Sequence, residues 1–503
     1  MPLSRRQFLQ ASAVAGAALV ADPGRAPAFV RSRPVITHGI QSGEVATRSG
    51  VVWTRADRPS RMLLQVLDGR HRRRPHWIEG PVLTGETDYT GKVRLRGLPP
   101  GRRVEYRVVL QDLRNPAVLS EPQVGSFRTA PVDERDVSFV WGADIAGQGW
   151  GINPDIGGYR IFRSMANVDP DFFLCSGDHI YADNPLTETV ALPGGRTWRN
   201  IVTPEKTKVA ETLAEFRGNF AYNLLDENLR TFARSVPQLN QWDDHEVLNN
   251  WYPGEILDDP RYSERRVDVL AARSKQAFFE WLPIGSRQIY RKVSHGPLLD
   301  VFLLDMRTYK DPNDENVYAD PRRGLLGAAQ REWLKRELAA SRATWKVIAN
   351  DLPLGLVVPD GPTTLEGVAQ GDPGPPRGRE LEFAEVLRFA HRRGVRGIVL
   401  ITADVHYPAA HRYDPSRAAI GAFDPFWEFV AGPLNAGAFG PNALDGTFGP
   451  EAVFAEPPPA PNASPADGHQ FFGHVAIEGQ SRVMTVALRD IDGRERFSVD
   501  LAP

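Results

Sequence analysis

The sequence predicts an α/β protein that carries an all-β domain on its N-terminal side, and three observations predict it. Between residues 34 and 132, short runs rich in branched and aromatic residues are separated by Gly, Pro and Asp turns, the pattern of strands in a β domain. From residue 136 to residue 503, short apolar runs alternate with stretches of helical spacing, the pattern of α/β layers. At 503 residues the chain exceeds what one hydrophobic core usually supports, so two domains are expected.

Taken in order, the chain opens on Ser4-Arg5-Arg6-Gln7-Phe8-Leu9-Gln10, followed by a weakly hydrophobic Ala/Val/Gly run and by Ala26-Pro27-Ala28, a small-residue cleavage signal. This resembles a bacterial twin-arginine signal peptide over residues 1–28. The resemblance implies the twin-arginine export machinery as a partner and a periplasmic or secreted destination. In the β domain, Val51-Val52-Trp53-Thr54-Arg55 and Val104-Glu105-Tyr106-Arg107-Val108-Val109-Leu110 read as strands. The segment from Arg96 to Val108, with Gly125-Ser126-Phe127-Arg128-Thr129-Ala130-Pro131 after it, is similar to the last strands of a fibronectin type III-like sandwich. Pro and charge interrupt the pattern at residues 131–135, which marks the domain boundary. Beyond it, 205–228 is a long amphipathic segment, and 330–340 and 380–393 have helical spacing, each leading into a strand. Residues 371–378 read as a Gly/Pro loop and 455–466 as an extended Pro-rich segment, before two final strands at 483–489 and 496–501.

Composition narrows the function. A formal net charge of −2 argues against nucleic-acid binding by bulk charge, and the basic run Arg70-His71-Arg72-Arg73-Arg74 reads as an exposed loop. The lone Cys175 rules out an intrachain disulfide, and its place inside an apolar run suits a small buried hydrophobe. No segment after the signal reaches the roughly 18 to 20 apolar residues of a membrane span, so the mature chain is expected to have no transmembrane anchor.

Four apolar runs each stop at a carboxylate. Val137-Ser138-Phe139-Val140-Trp141-Gly142-Ala143 ends on Asp144, and Phe172-Phe173-Leu174-Cys175-Ser176-Gly177 ends on Asp178, with Tyr181 three residues on. The run before Trp242 ends on Asp243-Asp244-His245-Glu246, with Asn249-Asn250 beyond, and Gly397-Ile398-Val399-Leu400-Ile401-Thr402-Ala403 ends on Asp404-Val405-His406. Such runs read as buried strands delivering side chains to their C-terminal edge, where open α/β sheets keep their sites. Carboxylates converging there repel one another, and a multivalent cation is the natural compensation. Oxygen-rich ligation with one or two imidazoles favours hard ions. Two ions about 3.5 to 4 Å apart would generate a hydroxide nucleophile for in-line attack on phosphorus and clamp the phosphoryl oxygens. Asp178 would bridge them, since a carboxylate has two oxygens to share.

Gly177-Asp178-His179-Ile180-Tyr181, Trp242-Asp243-Asp244-His245-Glu246-Val247-Leu248-Asn249-Asn250-Trp251 and Ala403-Asp404-Val405-His406, behind a fibronectin-like domain and a twin-arginine signal, resemble the PhoD-type alkaline phosphatases of the metallophosphoesterase superfamily. The resemblance implies a four-layer α/β/β/α sandwich, phosphoric monoester or diester hydrolysis, and a centre of Fe3+ with Ca2+. It implies Tyr181 as the phenolate on iron, as in the purple acid phosphatases, with His406 as the iron's imidazole. Asp404, Asp244 and Asn250 would serve the calcium side, with Asp243 a weaker candidate. His245 would contact substrate or protonate the leaving group. Many members place a Cys in Ser-Cys-Gln at the end of the first strand, where this chain has Asp144, so the metal identity is open. The substrate class implied is a phosphate-ester small molecule or, for phospholipase D-type relatives, a phospholipid. A non-catalytic binding role for the β domain is the alternative from another class.

Arg199, Arg217 and His411 are further candidates for holding phosphate, the arginines because a planar guanidinium matches phosphate oxygens. His179 is expected to point away from Asp178, and Glu428 to be hydrogen-bonded structure.

Overall fold

A computed structural model describes residues 33–67, 77–320 and 323–503; the signal at 1–28 and the run Arg70 to Arg74 lie outside the described residues. The N-terminal domain has β1 (Ile36–Ala46), β2 (Ser49–Ala56), β3 (Ser60–Val66), β4 (Ile78–Leu83), β5 (Thr90–Arg96), β6 (Arg103–Asp112) and β7 (Gln123–Arg128). Then come β8 (Val137–Gly142), α1 (Ile161–Ala166), β9 (Phe172–Ser176), β10 (Thr189–Ala191), β11 (Thr197–Arg199), α2 (Leu213–Asn223), α3 (Glu227–Ala233) and β12 (Gln238–Gln241). The chain continues through α4 (Val267–Trp281), β13 (Arg291–His295), β14 (Leu299–Leu303), α5 (Gly327–Ala340), β15 (Trp345–Ala349), α6 (Glu380–Arg392) and β16 (Ile398–Thr402). It closes with β17 (Ala409–Tyr413), β18 (Phe426–Val430), β19 (Pro450–Ala455), β20 (Phe471–Ile477), β21 (Met484–Asp490) and β22 (Glu495–Leu501).

Strand parity builds four layers. On β9, Phe172 and Leu174 face a core shared with Phe139 and Trp141 of the same sheet and with Val301, Val347, Val399 and Phe429 of the other. Phe173 and Cys175 face the opposite way, into a core made with α1 to α4. The second sheet turns Phe302, Ile348 and Leu400 outward against α5 and α6. Strands buried on both faces are apolar throughout, which is why they read as uninterrupted runs. Phe139 and Phe172 stack at 4.8 Å between centroids inside this sandwich, and truncating a core side chain such as Leu174 to Ala would cost about 2 to 5 kcal/mol. β8, β9 and β12 run parallel, as do β14, β15, β16 and β18, so the C-terminal edges of both sheets open on one rim.

The N-terminal domain sets three strands, β1-β2-β5, against four, β4-β3-β6-β7, around Ile40, Val52, Met62, Leu64 and Tyr106. It is not a free module. β1 pairs in parallel with β12 through Gly43 and Gln238, so a single nine-stranded sheet runs from β22 to β5. Its side chains also cap α4: Lys92 Nζ donates to the carbonyls of Leu282 at 3.1 Å and Ile284 at 2.9 Å, and to that of Phe279. Trp53 Nε1 donates to the Glu280 carbonyl at 2.8 Å. Carbonyls that a helix end leaves without partners are thus met from the neighbouring domain.

The amphipathic stretch 205–228 is not one helix. Thr212 and Glu215 form a capping box that starts α2, and the Asp226 side chain accepts from Leu229 N to start α3. Among the described residues no helix is long and apolar enough to cross a membrane.

Candidate metal centre

The rim is built from backbone that side-chain-bearing residues rarely adopt. Asp144, Asp178, Asn250, Asp404 and His406 all have φ between 48° and 65°, the kind of local strain that clusters at functional sites. Gly177, at φ 106°, lies so close to the next loop that a Cβ there would fall 2.3 Å from the Asp243 Cβ. Glu246, fully buried, ties these loops together. Its carboxylate accepts backbone N–H groups from His179 at 2.6 Å, Asp243 at 2.7 Å and Asp178 at 3.2 Å.

Three overlapping groups of side chains could each hold a cation, with ligand atoms within 4.8 Å of one another: Asp144, Asp178 and His406; Asp178, Asp244 and His245; and Asp243, Asp244 and Asp404. Asp178 and Asp244 each belong to two of them. Both oxygens of Asp144 and one of Asp404 are buried without a hydrogen-bond donor, a state costing about 1 to 3 kcal/mol or more per charged group unless something positive meets it. Burial and then the neighbouring carboxylates push the pKa of Asp178 well above the usual range, and burial with Asp243 does the same for Asp144. These donors fit hard cations.

His406 Nδ1 lies 2.5 Å from the Gly437 carbonyl, so Nδ1 carries the hydrogen and Nε2 presents a lone pair, which accepts from Tyr181 Oη. That Nε2 stands 3.0 Å from Tyr181 Oη and 3.7 Å from Asp144 Oδ1. Burial lowers the His406 pKa to about 4, which keeps the ring neutral and ready to ligate. Burial, then Asp178 and Asp144, raise that of Tyr181, so its phenol ionises only with a cation beside it.

His245 Nδ1 contacts Asp183 Oδ1 at 2.7 Å, and its ring stacks on Tyr181 at 4.2 Å. Burial acts to lower its pKa, but Asp183, Asp244 and Asp243 together raise it to about 10. Asp244 accepts from Asn250 N at 2.5 Å and from His245 N at 2.8 Å. Behind it Arg307, with no exposed surface, pairs with Asp243 at 2.5 Å and with Glu366, and stands 3.8 Å from Asp404 and 3.9 Å from Asp244.

The structure therefore brings Asp144, Asp178, Tyr181, Asp244, His245, Asp404 and His406 onto one rim. Asn250 is beside them, but its side-chain amide donates to Asp360 at 2.8 Å and its backbone N–H orients Asp244. Three candidates have partners of their own. Arg199, 63% exposed on β11, pairs with Asp155 at 2.7 Å. Arg217 on α2 turns toward the N-terminal domain, bound to Glu280 at 2.6 and 2.8 Å and to the Glu86 carbonyl. His411 on β17 faces Glu428 at 3.4 Å, away from the strand ends; Glu428 also accepts from Leu354 N and Tyr413 Oη, and is the hydrogen-bonded structure expected of it. His179 lines a cavity of about 30 Å³ together with Gln41, Asn223, Gln238 and Trp281. Sequence reasoning missed Asp183, Arg307 and Glu366. Asp183 had a signal, being a second acid five residues after Asp178 in the same loop.

The family model of PhoD-like phosphatase matches residues 139–488, that of its N-terminal domain residues 22–131, and that of the twin-arginine translocation signal residues 2–21. Alkaline phosphatase D of Bacillus subtilis (strain 168) is 27% identical over 443 residues, covering 80% of this chain and 71% of that protein. A solved structure of PhoD superposes with a TM-score of 0.68 at 21% identity, covering 95% of this chain and 90% of that one. The purple acid phosphatase PPD1 from yellow lupin gives 0.57 at 12% identity, covering 93% and 74%. These two likenesses show the metallophosphoesterase fold, and the twin-arginine signal directs export to the periplasm or beyond the cell. The chain belongs to the PhoD-like phosphatase family, as an exported phosphoric-ester hydrolase.

Proposed function

We propose that hydrolysis takes place on the rim, with Asp144, Asp178, Tyr181 and His406 holding an Fe3+ ion, Asp178, Asp244, Asn250 and Asp404 holding Ca2+, and Asp178 shared. The observation that carries this is the pair of ligand groups Asp144/Asp178/His406 and Asp243/Asp244/Asp404, brought together by the proximity of Asp178 to Asp244. The fully buried, donorless Asp144 carboxylate supports a cation on that side. With Asp in place of the thiolate that many relatives carry there, the iron side has harder donors and accepts other trivalent or divalent ions as well. Bound ions would supply an activated water and neutralise phosphoryl charge.

The chain's own residues do the rest. His245, with its pKa raised to about 10, keeps a proton through the alkaline range and donates it from Nε2 to the leaving-group oxygen. Asp183 fixes the other nitrogen, and the Tyr181 ring sets the plane of the imidazole. Asn250 N and His245 N hold the Asp244 carboxylate in one orientation, and Arg307 offsets the charge behind it. The division into a signal at 1–28, a β domain at 34–132 and a catalytic domain at 136–503 is part of this reading, with the β domain serving as support for α4.

The test is turnover of a chromogenic phosphomonoester and its matching diester by the folded, exported protein, with and without added calcium. Metal-dependent turnover of either supports the reading, and the ratio of the two kcat/KM values assigns monoesterase or diesterase. A metal-containing protein that turns over neither contradicts it.

A further inference from the structure

The Pro-rich arm between β19 and β20 reaches back to the side of the rim where His406 sits. Asn462, at φ 54° on the surface of that arm, uses both ends of its amide. Its Oδ1 accepts from Trp150 Nε1 at 2.8 Å, and its Nδ2 donates to the Gln148 carbonyl at 3.2 Å. The next residue, Ala463, exchanges two backbone hydrogen bonds with Ala438, at 3.0 and 3.1 Å. Between those two grips lies Gly437. Its N–H donates to Gln148 Oε1 at 3.3 Å, and its carbonyl is the group that accepts from His406 Nδ1. Phe439 N donates to the His406 carbonyl at 3.1 Å. The packing leaves no slack, because a Cβ on Gly437 would fall 1.9 Å from Asn462 Oδ1 and 3.0 Å from Trp150 Nε1.

A carbonyl that orients a ligating imidazole is held in turn by whatever fixes its peptide, and loss of such outer partners commonly weakens metal affinity by about 10 to 100-fold. We propose that Asn462 is a positioning residue: through Gln148 and Gly437 it fixes the His406 ring, and so sets the metal affinity of the Asp144/Asp178/His406 group. This rests on the metal-centre reading above. It assigns the Pro-rich arm a role as a strap on one side of the centre, leaving the Asp243/Asp244/Asp404 side independent of it.

Asn462→Gly is the test variant, since Gly accepts the positive φ without strain and removes only the side chain. The full-length exported protein and this variant are compared by metal competition against a graded chelator, with thermal unfolding of the stripped proteins as control. The expected result is a small fall in Tm when stripped, from two lost hydrogen bonds, and about a tenfold loss of affinity for the ion on the His406 side, with kcat falling and KM steady. Trp150→Phe, which removes the indole donor and part of a buried ring, should give a smaller loss that does not add to that of Asn462→Gly. Equal affinities in parent and both variants overturn the strap while leaving the metal centre standing. A parent protein that takes up no metal overturns the centre and the strap together.

Discussion

Two buried acids, Glu44 and Asp144, show how differently this chain treats charge in two places. Glu44 lies in the seam between the β domain and the catalytic sandwich, where its carboxylate pairs with Arg291 at 2.7 Å and Arg94 at 3.2 Å and accepts from Gly285 N at 2.8 Å. Asp144 lies on the rim, where neither oxygen has a donor. The seam sets its acid against two guanidinium groups, so the charge is offset within the protein. The rim concentrates acids, strains the backbone that carries them, and leaves oxygens open, an arrangement that is stable only when a cation completes it. Stability and function are thus separated in space, and substitutions in the two regions should fail in different ways.

The largest effect belongs to Asp178→Asn, which should abolish turnover while leaving the fold intact by circular dichroism, because the residue serves two ligand groups. Next, His245→Ala should lower kcat by about 10² to 10⁴-fold for an alkyl phosphate, and far less for a nitrophenyl ester, whose leaving group needs no proton. Asp183→Asn should move the alkaline limb of the pH–rate profile down from about 10, since Asp183 is the strongest of the groups raising His245. A third contrast lies in pH. Asp243 and Glu246 are pushed up to about 7 and about 8, chiefly by burial. Acids raised in the folded state contribute stability below their unfolded values, near 4, and lose it as pH rises through 7 to 8. Chelator-stripped protein should therefore show a Tm that falls as pH rises from about 4 to about 8 and then levels off, and metal should restore more of it at the upper end. The smallest effects separate the regions most cleanly. Glu246→Gln should cost about 1 to 3 kcal/mol and also slow turnover, because it loosens the loops carrying Asp178 and Asp243. Lys92→Met should cost about 1 to 2 kcal/mol through three carbonyls left without a donor, with kcat unchanged.

Much of this was legible in the sequence because of where the strands lie. A strand covered on both faces must be apolar along its length, so the acid that ends it stands out, as Asp144, Asp178 and Asp404 do. Arg307 carries no such mark: it sits in Met306-Arg307-Thr308 after a strand, and becomes a counter-ion only when folding sets it beside Asp243 and Glu366. Arg217 and Arg199 looked suited to phosphate by chemistry alone, but residue type does not say which face of the layer a side chain occupies, and both meet carboxylates elsewhere. The split of 205–228 was readable from Thr212-Leu213-Ala214-Glu215 and from Asp226, which are cap signals inside an otherwise helical pattern. The shared sheet was not, because a parallel pairing between Gly43 and Gln238 leaves no local pattern in either segment.

The central claim is that Asp178 joins cation sites on the rim. Its most direct test is the metal content of parent and Asp178→Asn proteins, purified after export and measured by plasma mass spectrometry. The account predicts more than one ion per parent chain and the loss of at least one in the variant, together with its turnover. A variant that keeps the parent's metal content and rate would contradict it.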